Sequence, residues 1–557
     1  MTARATAACP CCPIDFASRA LGRILSRIVP TAALMLTALL PTDLPAVEQP
    51  RNDRPNILFI FADDLTCQAL SSFGDHRHLL ETPHIDRLAR EGMRFDRCLV
   101  TNSICGPSRA TILTGKYSHK NGFYNNSTST FDSSQTTFPK LLQGAGYQTA
   151  VIGKWHLVSD PTGFDHWHVL PGQGIYYNPP MIRMGEKTEQ RGYVTDLITD
   201  LSLQWLAGRD RDRPFLLMTQ HKAPHREWAP PTRLLGWDAD RVYPEPVTLF
   251  DDFSGRSRAL ADHDMGLLRT FTPLDSKLVP PPGIDGADLA AWNAYYEPRN
   301  AAFQQADPQG EALVRWRYNR YMHDYLGCVK ALDENVGRIL DQLDREGIAD
   351  STVVVLASDQ GFFLGEHGWF DKRWILEESL RTPLLVRWPG RTPAGSSCKK
   401  IVSLIDFAPT FLEMAGARVP SEMQGQSLVP LLLGKTPPDW RTSLYYRYYE
   451  FPLPHRVRPH LGVITDRYKL VHYEGSGVDD WELLDREADP LETTNFLADP
   501  GHADVLKELQ SELARLQAEV DDLTPPPRTA FGRAPFPEEV DPAAPATPRQ
   551  SRRRKAG

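Results

Sequence analysis

Long apolar runs, abundant cysteine and an excess of basic charge are all missing from this chain of 557 residues. The most apolar stretch, residues 28–40, is shorter than the roughly 20 residues that a membrane-spanning helix needs. With 62 Lys and Arg against 70 Asp and Glu the net charge is −8, so we expect no nucleic-acid partner. The basic cluster at residues 552–555 lies in a terminal segment that we expect to be solvated and disordered.

Residues 1–46 have the pattern of a targeting segment. Arginines along residues 19–27 precede the apolar residues 28–40, and Ala46 offers a small residue for cleavage. We expect a signal peptide or an N-terminal anchor, and therefore export to the periplasm or out of the cell. No other stretch is apolar enough to span a bilayer, so we expect no membrane contact beyond a possible anchor.

Cysteine is sparse, since only eight occur and five of them lie beyond the targeting segment. The sequence leaves open whether any of these five form disulfides. They are Cys67, Cys98, Cys105, Cys328 and Cys398.

Four short apolar runs each end in polar or charged residues. Continuous apolar runs of this length are typical of strands buried on both faces, as in a parallel sheet. Amphipathic patterns over residues 82–92 and 317–347 predict helices between them. The four runs are residues 57–61, 149–152, 215–218 and 353–356. The sequence therefore predicts an α/β sandwich with its ligand site beyond the carboxyl ends of the strands.

The composition and the periodicity of the sequence change along the chain. We predict an α/β domain over residues 54–435, in which the Pro-, Asp- and Gly-rich residues of about 230–310 form a substrate-facing insertion. Short strand patterns and a helical pattern over residues 503–520 predict a small C-terminal α+β subdomain at 436–523. Residues 524–557 are Pro-rich and charged, which predicts a disordered tail.

The residues that follow the predicted strands suit the binding of a metal and an anion. Asp63, Asp64, Asp359 and Gln360 supply oxygen donors, which favour a hard divalent cation such as Ca²⁺ over zinc. A second set supplies positive charge and proton donors for an anion near neutral pH. That second set is Lys154, His156, Lys222, His225 and Lys372.

One segment carries a specific resemblance. The run Cys105-Gly106-Pro107-Ser108-Arg109, with Leu113-Thr114-Gly115 close behind, resembles the sulfatase signature. Further blocks are similar to that family, and the match covers roughly residues 54–500. These blocks begin at Pro55, Gly153, Ser358, Leu364, Asp406 and Gly425. The resemblance implies a large mixed sheet sandwiched by helices, as in the alkaline phosphatase superfamily.

The resemblance also implies a modified residue and a metal. Cys105 would be oxidised to formylglycine by a formylglycine-generating or radical maturation enzyme, and its hydrated aldehyde would be the nucleophile. By the same resemblance Asp63, Asp64, Asp359 and Gln360 would bind one Ca²⁺, together with the modified Cys105.

The remaining roles follow from the same resemblance. Arg109 would hold the formylglycine hydrate, and Lys154 and His156 would contact the nucleophile, with His156 helping to regenerate the aldehyde. His225 and Lys372 would contact the sulfate, with His225 as the acid for the leaving oxygen.

The runs around residues 221–228 and 368–374 are similar to bacterial N-acetylglucosamine-6-sulfatase-like members. This similarity implies a sulfated carbohydrate substrate, with 6-O-sulfated N-acetylglucosamine of glycosaminoglycan or mucin-type glycans as the favoured unit. Rings and charges in these runs are either sugar contacts or rim packing, and the sequence leaves both open. The candidate substrate contacts are Lys222, Trp228, Trp369, Arg373, Trp374, Arg456 and His460.

Two other functions compete with this interpretation. Another carbohydrate or aryl sulfatase, or a phosphate or phosphonate ester hydrolase of the same superfamily, would share the sheet and even the formylglycine. A carbohydrate-binding surface protein with a decayed site is the alternative outside catalysis. The intact Cys105, Arg109, Asp359 and Lys372 argue against it.

Overall fold

The computed structural model describes residues 54–475 and 477–532. The predicted targeting segment at 1–46 lies outside the described residues, as does the chain beyond residue 532. Across the described part, no helix is both long enough and apolar enough to cross a membrane.

Sixteen strands form within the described residues. They are β1 (Asn56–Ala62), β2 (Met93–Phe95), β3 (Cys98–Leu99), β4 (Gln148–Lys154), β5 (His166–Leu170), β6 (Pro180–Arg183), β7 (Glu186–Glu189), β8 (Phe215–Gln220), β9 (Thr352–Ser358), β10 (Leu384–Arg387), β11 (Ser396–Cys398), β12 (Val402–Ser403), β13 (Ser443–Tyr448), β14 (His460–Thr465), β15 (Tyr468–Tyr473) and β16 (Asp480–Asp485).

Eleven α-helices accompany these strands over the same residues. They are α1 (Pro83–Glu91), α2 (Cys105–Thr114), α3 (Ser118–Asn121), α4 (Phe138–Gly144), α5 (Val194–Gly208), α6 (Gly286–Ala306), α7 (Gly310–Arg345), α8 (Glu377–Leu380), α9 (Phe407–Met414), α10 (Val429–Leu432) and α11 (Ala503–Glu519).

The four predicted strands form the centre of a ten-stranded mixed sheet. Its order is β11-β2-β10-β9-β1-β8-β4-β5-β6-β7. Strands β9, β1, β8, β4 and β5 run parallel, whereas β10 is antiparallel to both of its neighbours and so is β6. Because the predicted runs are parallel and adjacent, the residues that follow them meet at one edge of the sheet.

Both faces of this sheet are covered, which explains the continuous apolar runs. Along β1, Phe59 packs in one core with Phe411 of α9, at 5.3 Å between ring centroids. The alternate residue Leu58 packs in a second core with residues of α1, α5 and α7 such as Leu332. Alternation along the strand therefore feeds two apolar layers, and the predicted α/β sandwich is confirmed.

The predicted insertion holds an element that its sequence did not indicate. Helix α6 spans residues 286–306 inside it, but only Trp292 and Tyr296 of that helix are buried. A helix that buries so little carries no apolar periodicity to read. Helix α7 begins at Gly310, seven residues before the predicted start at residue 317. The first turns of α7 are mostly exposed and therefore carry no apolar pattern that would indicate a helix.

The C-terminal subdomain has the predicted α+β character. Strands β13 to β16 form one antiparallel sheet, of which β16 was not predicted. Leu509, Leu513 and Leu516 of α11 pack against that sheet. The predicted tail differs at its start, since the amide of Asn125 donates to the carbonyl of Ala530 at 2.9 Å and Ala530 is buried.

Candidate active site

The ends of β1 and β9 are tied together, and this brings the predicted metal ligands into one cluster. The backbone amide of Asp64 donates to Oδ1 of Asp359 at 3.0 Å, and the amide of Leu65 donates to Ser358 Oγ at 2.9 Å. Carboxylate oxygens of Asp63, Asp64 and Asp359 all lie within 4.8 Å of one another, and all three residues are fully buried.

Several residues around this cluster have left-handed backbone conformations. Asp64 has φ 66°, His156 has φ 56°, Asp371 has φ 78° and Arg373 has φ 89°. Such values are uncommon outside glycine and persist where surrounding contacts determine them. Four of the sixteen non-glycine residues with positive φ in the described chain thus lie around the carboxylates.

Cys105 is the first residue of helix α2 and is fully buried beside the carboxylates. Gln360 Nε2 lies 3.8 Å from its sulfur. Burial, together with the negative charge of Asp63, raises the pKa of the Cys105 thiol well above its usual value. The thiol is therefore protonated near neutral pH and is a poor nucleophile as it stands. The helix N-terminus provides positive potential at this position.

Arg109 lies one turn further along α2 and connects three strand ends. Its Nη1 donates to the Lys154 carbonyl at 2.8 Å and to Gln220 Oε1 at 2.9 Å. Its Nη2 donates to Asp359 Oδ2 at 3.1 Å. The guanidinium thus fixes the position of α2, which carries Cys105, relative to the clustered carboxylates. Gln220 was not predicted, although its place at the end of the buried strand β8 was the signal that it shared with the others.

Lys154 ends strand β4 and donates through Nζ to Asp63 Oδ2. The preceding Gly153 has φ 110°, and a Cβ there would lie 1.9 Å from the Gln220 carbonyl oxygen, so only glycine fits. The close approach of β4 to β8 is what places the Lys154 side chain over the carboxylates.

The three carboxylates are not equally satisfied. Burial opposes the ionisation of Asp63, but Lys154 and Arg109 hold its pKa well below the usual value. Burial raises the pKa of Asp64 to about 6, and burial with the Asp63 charge raises that of Asp359 well above its usual value. Two of the three carboxylates thus sit where additional positive charge would favour their ionised form.

This donor set fits a hard divalent cation. Three carboxylates are clustered here. The buried Oε1 of Gln360 is a fourth oxygen donor, and it has no hydrogen-bond partner among the described residues. The amide instead presents Nε2 to Asp64 Oδ1 at 2.5 Å and to Asp359 Oδ1 at 2.8 Å. Because a half-turn exchanges the amide oxygen and nitrogen, Oε1 can occupy that position and complete an all-oxygen site typical of Ca²⁺.

Lys372 and His225 approach Asp64 from the other side of the site. Lys372 Nζ lies 2.8 Å from an Asp64 carboxylate oxygen, and His225 Nε2 lies 3.8 Å from Asp64 Oδ2. Burial opposes the charge on Lys372, but Asp371 and Asp64 hold its pKa well above the usual value, so it stays cationic. His225 Nδ1 lies 2.5 Å from the Arg226 carbonyl oxygen, which assigns the Nδ1 hydrogen to that contact and leaves Nε2 facing the site.

Both His156 and His225 are held neutral by their surroundings. Burial and the charge of Lys154 lower the pKa of His156 and of His225 well below the usual value. His156 is half-buried, and its Nδ1 has no hydrogen-bond partner within the described chain. Each imidazole is therefore free to accept a proton once negative charge is bound beside it.

The aromatic candidates for sugar stacking are not at the surface. Trp369 stacks on Trp374 at 5.6 Å between ring centroids, and Trp374 stacks on His460 at 5.3 Å. Their exposed fractions are 2%, 0% and 0%, and Trp228 is also fully buried. These side chains expose almost no surface, which favours the packing alternative over sugar contact.

The charged candidates divide in a similar way. Lys222 points to its own loop, where Nζ lies 3.3 Å from the Arg226 carbonyl oxygen and 4.9 Å from the centre of the Tyr176 ring. Burial and Lys154 lower the pKa of Lys222 to about 8. Arg456 is half-exposed and pairs with Asp262 at 2.7 Å, away from the cluster.

Arg373 lies beside the cluster, in a network with Glu450, Asp371 and His455, none of which was predicted. It donates to Glu450 Oε2 at 2.5 Å, while Asp371 pairs with His455 at 3.1 Å. Asp371 Oδ1 lies 3.9 Å from Lys372 Nζ and 3.4 Å from Arg373 Nε. The acid-base-base run at 371–373 was a signal for Asp371, whereas nothing in its own segment indicated His455.

Two family models match the chain. One described as "Sulfatase" matches residues 55–417, and one described as "N-sulphoglucosamine sulphohydrolase, C-terminal" matches residues 365–519. These spans cover the sheet, the strand-end cluster and the C-terminal subdomain.

Individual proteins are similar over most of their length. An N-acetylglucosamine-6-O-sulfatase of Bacteroides thetaiotaomicron is 46% identical over 516 residues, which cover 89% of this chain and 92% of that protein. The N-acetylglucosamine-6-sulfatase of Homo sapiens is 26% identical over 422 residues, or 71% of this chain and 67% of that protein. A solved structure, 46% identical and in complex with its substrate D-glucosamine-2-N,6-O-disulfate, superposes with a TM-score of 0.82 over 85% of this chain and 99% of that chain. The chain belongs to the sulfatase family.

Proposed function

We propose that this sulfatase hydrolyses the 6-O-sulfate ester of N-acetylglucosamine units in glycosaminoglycan or mucin-type glycans. The observation that carries the proposed chemistry is the position of Cys105 at the start of α2, against three clustered carboxylates and opposite Lys372 and His225. The substrate follows from the relative that is 46% identical over 89% of this chain.

Formylglycine at position 105 would supply a hydrated aldehyde as the nucleophile for the sulfur atom. A Ca²⁺ held by Asp63, Asp64, Asp359 and Gln360 would polarise the sulfate and offset its charge. The proposal includes a maturation enzyme as partner, because the thiol of Cys105 is protonated and unreactive in its buried position.

The chain's own residues bind the anion and move the protons. Lys372 and Lys154 are buried cations on two sides of the site, which suits a sulfate whose charge increases in the transition state. His225 presents Nε2 to the site and would hold the proton for the leaving sugar oxygen. His156 would accept the proton when the nucleophile is regenerated, since burial keeps its imidazole neutral beforehand.

Arg373 and Asp371 are proposed as contacts for the sugar hydroxyls next to the sulfated carbon. Each is at least 95% buried, and each is already paired, with Glu450 and with His455. Paired and immobile charges of this kind orient hydroxyl groups at low entropic cost.

The test combines mass spectrometry with a sulfate-release assay. In protein from its native host or from co-expression with a maturation enzyme, the tryptic peptide of residues 98–109 should carry the aldehyde in place of the Cys105 thiol. That protein should release sulfate from N-acetylglucosamine 6-sulfate faster than from its 3-sulfate isomer or from a phosphonate monoester. An unmodified thiol in active protein would remove the nucleophile from the proposal, and preference for another ester would remove the substrate.

Export is also part of the proposal. Its support is the targeting pattern at residues 1–46, with arginines ahead of a short apolar stretch. Fractionation of the native host should place the protein in the periplasm or the medium, and recovery in the cytoplasm would contradict this.

A further inference from the structure

We propose that Asp275, in the segment predicted to face the substrate, is a positioning residue for the proton donor His225. This inference rests on the proposed function, in which His225 Nε2 takes up a proton when the anionic ester binds beside it and gives that proton to the leaving sugar oxygen as the ester S–O bond breaks. The incoming oxygen at position 105 forms the new bond to sulfur in the same step, so the electron pair left on the sugar oxygen accepts that proton.

The orientation of the His225 ring depends on the carbonyl of the next residue. The ring is anchored through Nδ1 to the Arg226 carbonyl oxygen at 2.5 Å, and Nε2 lies 3.8 Å from Asp64 Oδ2. The His225 carbonyl in turn accepts from the Tyr176 hydroxyl at 2.6 Å. Any displacement of the Arg226 backbone therefore rotates the imidazole and moves Nε2 away from the leaving oxygen.

The side chain of Arg226 holds that backbone to the insertion. Its Nε donates to Asp275 Oδ1 at 2.7 Å and its Nη2 donates to Asp275 Oδ2 at 2.6 Å. The guanidinium also lies 4.7 Å from the centre of the Phe370 ring. A bidentate pair fixes both distance and direction, which a single hydrogen bond does not.

Asp275 is itself rigidly placed. It is only 1% exposed, and Oδ2 accepts from the Thr272 amide at 2.8 Å and from Thr272 Oγ1 at 2.7 Å. Burial opposes its ionisation, but Arg226 and the Thr272 donors hold its pKa below the usual value. The carboxylate therefore stays charged and oriented toward Arg226.

Lys277 provides a second tether to the same loop. Its Nζ donates to the Glu227 carbonyl at 2.8 Å and to the Asp275 carbonyl at 3.0 Å. The next residue, Trp228, is fully buried against Tyr321 at 4.4 Å between ring centroids. Residues 226, 227 and 228 are thus each fixed, two of them by the insertion. Through these contacts the insertion fixes the backbone that follows His225.

The test is a double-mutant cycle on N-acetylglucosamine 6-sulfate with Asp275→Asn and His225→Ala. Asparagine keeps the shape of the side chain but removes the charge and one of the two acceptors. We expect Asp275→Asn alone to lower kcat by about 10- to 100-fold with KM within about 3-fold, because proton donation contributes 10²–10⁴-fold. In the His225→Ala background the same substitution should change kcat less than about 3-fold, because residues that act through one group are not additive.

Glu482→Gln is the matched control. Glu482 forms the same bidentate pair with Arg256, at 2.8 and 2.9 Å, and both side chains are fully buried. This pair joins the insertion to strand β16 and does not contact residues 225–228. Its effect on kcat should be equal with and without His225.

Equal effects of Asp275→Asn in the two backgrounds would overturn the inference, and so would unchanged kcat in the single variant. Should Asp275→Asn fail to fold, Thr272→Val removes one donor to Asp275 and should show a smaller effect with the same dependence on His225. An additive Thr272→Val effect would equally overturn the inference. Wild-type enzyme that releases no sulfate from this sugar would instead refute the proposed function, which keeps the two failures distinct.

Discussion

The charged cluster at the strand ends and the aromatic stack of Trp369, Trp374 and His460 are equally buried but are stabilised in opposite ways. Each stacked ring is satisfied by its neighbours, and an aromatic pair contributes about 0.5–1.5 kcal/mol beyond burial. Each buried charge costs several kcal/mol unless it is paired, and the cluster holds three carboxylates beside Arg109, Lys154 and Lys372. The buried charges therefore cost stability and point to a catalytic role, whereas the buried rings stabilise the fold by packing.

The strongest way to sharpen this comparison is Cys105→Ala. Removing the group that would become the nucleophile should lower kcat/KM at least about 10³-fold, or about 4 kcal/mol of barrier. The melting temperature should change little, because among the described residues the sulfur has one hydrogen-bond contact, the 3.8 Å approach of Gln360 Nε2. Cys328→Ala is the control, since that buried thiol lies on helix α7 and not among the carboxylates, and it should keep activity within about 2-fold. More than a tenth of wild-type activity in Cys105→Ala would contradict the role of this residue.

Metal removal should produce the next largest effect. Stripping divalent cations should lower activity at least about 10-fold, because the charge that would polarise the sulfate is then missing and the raised pKa values of Asp64 and Asp359 favour their protonated forms. Added Ca²⁺ should restore activity and raise the melting temperature as a ligand of the folded state. Full activity in protein verified as metal-free by elemental analysis would contradict a role for a divalent cation at the carboxylate cluster.

The smallest effect on activity is expected from His460→Phe. Burial lowers the pKa of His460 to about 4, from 6.5 for a free histidine. Between these values the unfolded chain binds more protons than the folded chain, so the free energy of unfolding falls as the pH falls from 6.5 toward 4, by up to about 3 kcal/mol. Phenylalanine keeps the stack without titrating, so urea unfolding at pH 7 and pH 4.5 should show a smaller loss in the variant.

Neutral-pH activity of His460→Phe should stay within about 2-fold of wild type, because the ring lies between Trp374 and Tyr446 and not at the site. His263, whose pKa burial lowers to about 3, still titrates in the variant, so acid sensitivity should decrease but not vanish. A large rise in KM would return His460 to the substrate contacts and undo the comparison.

The core of the sheet and the grouping of carboxylates at its strand ends were predictable from short segments. Apolar runs bounded by polar residues located β1, β4, β8 and β9, because strands buried on both faces need uninterrupted apolar sequence. The outer strands β6 and β7 and helix α6 escaped prediction, since they bury few residues and carry no periodic pattern.

Local sequence does not determine contacts between residues that are distant in the chain. Trp374 and His460 were candidates for sugar contact, and they stack on each other although 86 residues separate them in the chain. Asp371 gains its importance from His455, and Asp275 from Arg226, through contacts that no local pattern encodes.

The sequence by itself determined which residue types stand at the carboxyl end of each central strand, because parallel strands with apolar interiors can display polar chemistry only where they end. It also carried the run from Cys105 to Thr114-Gly115 that resembles the family signature. Only the tertiary structure decided which buried side chains face the anion, which rings merely pack, and which part of the insertion holds the His225 loop. Those outcomes depend on the directions of side chains brought together from distant segments, and packing and charge pairing set those directions.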